Sequence, residues 1–124
     1  MQLTPWNTDL LNAERLYFCR LLDTGNAYYE VEDEAGQRYE ITVDNDVNLY
    51  VLVDEEFLAR YSNMSVKGLG VSHTFEVLNS GLKEWYFSGS HLPKEEYRHF
   101  VVMTCDACLE IISKSEPVIR SVDS

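Results

Sequence analysis

The stretch PKEEYRHFVVMTCDACLEII, residues 93–112, decides how the chain is read. At a period of 3.6 it is an amphipathic helix. Pro93 is a favoured first-turn residue, and Tyr97, Phe100, Val101, Thr104, Cys108, Ile111 and Ile112 form an i, i+3, i+4, i+7 stripe. Cys108 then lies on the stripe and Cys105 beside it. A thioredoxin-like alternative makes HFVVMT a strand and starts a helix at Cys105, where the dipole lowers a thiol pKa. That fold needs a further β-α-β run, and only 16 residues follow Cys108. Zinc needs four ligands, and here one C-x-x-C pair stands without a second, with His99 six residues before Cys105 on another face. The helix reading therefore treats Cys108 as a small buried hydrophobe, and no metal or cofactor is expected.

Working back toward the N-terminus, NTDLLNAERLYFCRLLDTGN offers Asn7 or Thr8 as an N-cap, Gly25 as a stop and leucines near helical spacing, which predicts a helix over about 8–22. RLYFCRLL also fits a strand, the rival reading for 15–22. In AYYEVED and QRYEITV the period changes to two. These predict strands joined by the turn DEAG. NLYVLV, 48–53, reads as a third strand, and Asp54 as the cap of a short helix EEFLARYS. VSHTFEVL and KEWYFSG read as a second hairpin around NSGL. The predicted class is α+β, a single domain over 1–124 with an antiparallel sheet of about five strands and helices mainly on one face, in the order α-β-β-β-α-β-β-α.

A chain of 124 residues with 45% hydrophobic content can bury a core without staples. Its N-terminus has no basic n-region, no run approaches the roughly 20 apolar residues of a membrane span, and three cysteines suit a reducing compartment. A cytoplasmic location is expected. The net charge of −11 disfavours nucleic-acid backbones and anionic membranes and favours a basic protein partner.

The acids are unevenly placed. From Glu30 to Glu56 there are ten acids against the single base Arg38, a local −9. Strand alternation puts Tyr29, Val31, Ile41, Val43, Phe75, Val77, Trp85 and Phe87 inside, and Tyr28, Glu30, Glu32, Glu40, Glu76, Glu84 and Tyr86 on the opposite face, with Asp44 and Asp46 in the turn that follows. Like charges on neighbouring strands carry a cost, and tyrosines among carboxylates suit docking, so these nine residues are the expected partner-binding set. Asp44, Asp46, Asn48 and Glu55 also approximate a calcium loop, but Leu49 stands where its sharp turn needs glycine. His73, His91 and His99 have no local pairing with a serine or cysteine nucleophile, so no catalytic residue is expected. Tyr50 and Leu52, apolar on the outer face, mark either a homodimer contact or a covering helix.

This element order, with the size and acidity, is similar to that of class I type III secretion chaperones, small acidic dimers that hold an effector segment. The likeness is one of order and charge, with no family motif in the residues. Toxin-immunity proteins and phage-encoded inhibitors share the profile. All imply a non-enzymatic acidic protein, an inhibitor, immunity protein or chaperone, that occludes a basic surface of its partner. The alternative is a small enzyme or ligand-binding domain with a pocket between sheet and helices.

Overall fold

The hairpin of β3 (Ala27–Asp33) and β4 (Arg38–Val43) forms where the alternation places it, with Glu30 opposite Glu40. Asp33 Oδ1 accepts the amides of Ala35 and Gln37, 2.9 Å each, and Gly36 completes the turn at φ +85°. A left-handed residue with a Cβ is strained. Gly36→Ala is therefore expected to cost about 1 kcal/mol in urea unfolding, with the fold retained.

The computed structural model describes residues 2–6, 8–10, 13, 15–23, 27–43, 47–54, 73–105 and 107–122, without the side chains of Gln2, Leu3, Pro5, Leu22, Asp23, Ala27 and residues 47–54. The turn with Asp44 and Asp46, the calcium-like loop, the predicted helix EEFLARYS and the side chains of Tyr50 and Leu52 lie outside what is described.

The α+β expectation is overturned: the described residues form two antiparallel sheets and one short helix. The remaining elements are β1 (Gln2–Pro5), β2 (Leu16–Asp23), β5 (Val47–Asp54), β6 (Thr74–Leu78), α1 (Gly81–Tyr86), a 3-10 turn (Lys94–Glu96), β7 (Arg98–Met103), β8 (Ala107–Ser113) and β9 (Val118–Val122). One sheet has the order β1-β6-β7-β8-β5 and the other β2-β3-β4-β9. Their inner faces share a core of Trp6, Leu10, Leu16, Tyr29, Val31, Ile41, Val43, Phe100, Val102, Leu109 and Ile111. The likeness to secretion chaperones rested on element order and charge, and its element-order part is overturned with the fold class.

Each misplaced helix has a physical reason. Residues 93–112 hold a hairpin, β7 to β8, whose turn is closed by Thr104: its amide and hydroxyl both donate to the Ala107 carbonyl, and its Oγ1 accepts the Ala107 amide. All seven residues of β8 are buried, so period two is erased and a chance helical stripe remains. In β2 the register shifts between Phe18 and Arg20. That bulge puts Leu16, Phe18 and Leu21 opposite the inward Asp33, Val31 and Tyr29, and the inserted residue gives the apolar positions helix-like spacing. The opposite error occurs at KEWYFSG, which is not a strand. Ser80 caps α1 by accepting the Lys83 amide at 3.0 Å.

Candidate functional site

The predicted binding residues separate into distinct places. Tyr28, Glu30, Glu32 and Glu40 do share the outer face of the four-stranded sheet. Glu76 belongs to the other sheet, where Arg98 grips it through Nε and Nη2 at 2.8 and 2.9 Å. Glu84 and Tyr86 stand on α1, and Glu84 accepts from Lys94 Nζ at 2.6 Å. Trp85, expected inside, is exposed on α1, whereas Phe87 is buried.

The outer face of the four-stranded sheet is not simply acidic. Cross-strand register sets a row Arg20, Glu30, Glu40, Arg120, and Glu32 lies opposite Arg38. Three glutamates thus share the face with three arginines: Arg38 comes from the hairpin itself, and β2 and β9, on either side of it, bring Arg20 and Arg120. Glu30 is the anchor, with 3% of its surface exposed. Arg20 Nε donates to its Oε2 and Arg38 Nη1 to its Oε1, both at 3.0 Å, and the Tyr28 hydroxyl donates to Oε2 at 3.3 Å. Burial raises the Glu30 carboxyl, but the hydrogen bond and charge of Arg20, then Tyr28 and Arg38, outweigh it and hold it below the ordinary carboxylate value. Tyr28 is pushed the other way, first by burial, against the hydrogen bond from Arg20. Around this fixed centre, Tyr17 (39% exposed), Val118 (42%), Arg20, Arg38 and Arg120 face solvent.

A second polar cluster is sealed inside, and sequence spacing gave no sign of it. Ser80 Oγ lies 2.6 Å from His99 Nδ1, and His99 Nε2 lies 3.1 Å from Glu110 Oε1; all three residues are 1% exposed. With Glu110 ionised, His99 Nε2–H donates to it, and the Ser80 hydroxyl donates to Nδ1 while accepting the Lys83 amide. The order serine, histidine, carboxylate resembles a hydrolase triad, but a nucleophile must be reachable by substrate. Ser80 Oγ is spent on the helix cap and on His99. What the relay does is tie α1 to the centre of the five-stranded sheet. The one hint in the sequence was an acid, Glu110, inside the otherwise apolar run CLEII.

The remaining chemistry-bearing residues are scattered. His73 is buried, donates Nδ1–H to the Met103 carbonyl at 3.1 Å, and leaves Nε2 without a hydrogen-bond partner. Cys108 is buried on a strand beside Phe75, Val77 and Val101, while Cys105 is exposed in the β7–β8 turn. Neither stands on a helix. Among the described residues no group of three or more His, Cys, Asp or Glu could hold a metal ion. No described helix is long and apolar enough to cross a membrane. A cleft of about 220 Å³ opens between the segment after β1 and the start of β9, lined by Trp6, Thr8, Asp9, Glu116, Pro117 and Ile119.

The chain matches no protein-family model, and no curated protein or solved structure is significantly similar to it.

Proposed function

We propose that this chain is a non-enzymatic binding protein that covers a surface of a basic protein partner with the outer face of its four-stranded sheet. The observation that carries this reading is the Glu30 centre: a buried carboxylate clamped by two arginines and a tyrosine under a solvent-facing surface of Tyr17, Arg20, Arg38, Arg120 and Val118. Arginine and tyrosine dominate binding hot spots, and side chains already held in place lose less entropy on docking. The occlusion mechanism is kept, but its electrostatics change. The face itself is balanced, so it recognises a partner by matched pairs, while the net −11 steers a basic protein into encounter and weakens as salt rises. A reducing, cytoplasmic setting accompanies this reading, supported by three cysteines that are all thiols.

The test is affinity capture from native lysate at low salt with a salt gradient, run on the native chain, on Tyr17→Ala/Arg120→Ala, and on Trp85→Ala as a control away from the face. A single basic protein retained by the native chain and the control, and bound about 30-fold more weakly by the face variant, is expected. Equal retention by the face variant would sink the reading.

A further inference from the structure

We propose that an extended segment of the partner pairs with the outer edge of β9 and sets a carboxylate against Arg120, an inference that deepens the binding reading and rests on it. The edge is open in a defined phase. The Asp33 amide donates to the Gln37 carbonyl at 2.9 Å, which makes these two a hydrogen-bonded pair of the β3–β4 hairpin. Counting on along β4, the backbone groups of Tyr39 and Ile41 point to β3, and those of Arg38, Glu40 and Thr42 point to β9, onto Val122, Arg120 and Val118. The N–H and C=O groups of Ile119 and Ser121 therefore point away from the sheet. β9 is its last strand, and among the described residues no backbone hydrogen bond reaches them. Pro117, in the same phase just before the strand, has no N–H to leave there, as edge positions allow. The opposite edge is guarded: β2 is bulged between Phe18 and Arg20, and the Leu16 carbonyl already accepts the Cys105 amide at 2.7 Å.

The side chains of β9 specify what lies beside it. Arg120 is exposed, and among the described residues its guanidinium has no hydrogen-bond or ion-pair partner. Arg20, Arg38, Arg98, Lys94 and Lys114 each hold a carboxylate. In the row Arg20, Glu30, Glu40, Arg120 the position beyond Arg120 is the one left to fill, and opposite charges on neighbouring strands attract. Val118 and Val122 flank Arg120 on the same face, so the matching segment reads apolar, any, acidic, any, apolar. A second copy of the chain does not offer this. Antiparallel pairing of β9 with its own copy, centred on Ile119, Arg120 or Ser121, sets Arg120 against Val118, Arg120 or Val122, and none supplies an acid. Two chains of −11 also repel, whereas a basic protein carrying one such segment is drawn in.

The experiment titrates the full ¹⁵N-labelled chain with the peptide acetyl-Lys-Val-Thr-Glu-Val-Val-Lys-amide and with the same peptide carrying lysine in place of glutamate. Attraction to the net charge alone favours the more basic lysine peptide. Pairing at Arg120 favours the glutamate peptide, which is expected to bind about threefold more tightly, with saturable shifts and slowed exchange at the Ile119 and Ser121 amides. Arg120→Glu should invert the preference. Ser121→Pro removes an outward N–H and no ladder bond, so it should abolish binding of both peptides while the β3 amides keep their shifts. Tighter binding of the lysine peptide by the native chain, a contrast that needs no variant, would overturn the inference. So would undiminished binding by a folded Ser121→Pro chain, or a concentration-dependent dimer in sedimentation that protects the same two amides. In the capture assay Ser121→Pro should hold the partner about tenfold more weakly, although Tyr17, Arg20, Arg38 and Arg120 remain in place. Full capture by Ser121→Pro alongside loss in Tyr17→Ala/Arg120→Ala would overturn the edge pairing and leave the face reading standing. Failure of the face reading shows itself separately, as full capture by Tyr17→Ala/Arg120→Ala.

Discussion

Glu110→Ala is expected to destabilise the fold by about 3–5 kcal/mol, the largest single loss outside the hydrophobic core, measured by urea unfolding. The cost comes from what is left behind. His99 and Glu110 sit on neighbouring strands, each 1% exposed, and removing the carboxylate strands an imidazole N–H where water does not reach it. His99→Ala should cost a similar amount, leaving a buried carboxylate and a Ser80 hydroxyl without their shared partner. The two losses should not add. The double variant His99→Leu/Glu110→Leu fills the space with apolar groups and should recover most of the stability, as buried pairs commonly do when both members are replaced. A second readout separates this from a generic core defect. Because the relay ends at the Ser80 cap, amide exchange of α1 should accelerate in either single variant more than that of β3. Additive single losses, or α1 exchange that does not change, would show that the three residues do not act as a unit.

What could be read from the sequence was the part of the fold with one wet face. Tyr29, Val31, Ile41 and Val43 alternate with polar residues because β3 and β4 are buried on one side only, and all four are in the core. β8 gave no such signal, since residues on both of its faces are buried. β2 gave a misleading one, because an inserted residue at a bulge changes its spacing from two to three. The same asymmetry holds for the candidate site. That Tyr28, Glu30, Glu32 and Glu40 share a face follows from alternation alone. That the face is neutral does not, because helical spacing over 8–22 predicts a helix at Arg20 and no predicted element contains Arg120; both reach it only through sheet order. Charge counted along a chain therefore overstates charge on a surface whenever flanking strands come from elsewhere.

Glu30 is where that neutrality can be tested. Glu30→Lys should cost about 3 kcal/mol, since it removes two charge-assisted hydrogen bonds and sets a third cation beside Arg20 and Arg38. Glu30→Gln should cost less, about 1.5 kcal/mol, keeping the shape and one acceptor. Were the face a solvated acidic surface, the lysine variant would be harmless or stabilising, because it would relieve repulsion with Glu40 directly opposite. The two pictures thus predict opposite signs. Acid titration gives an independent check. The folded Glu30 carboxyl lies below the ordinary value, so its contribution is complete above the ordinary carboxylate pKa and fades as the pH falls through the depressed one. The stability difference between the native chain and Glu30→Gln should accordingly be constant near neutrality and shrink on acidification. Glu40, half-buried beside it, supplies the internal comparison. Its register partner across β9 is Arg120, and Glu40→Gln/Arg120→Gln removes a + and a − together. A smaller loss in that pair than in Glu30→Gln would place the energetic weight of the face in the clamp and leave the row's outer members for recognition.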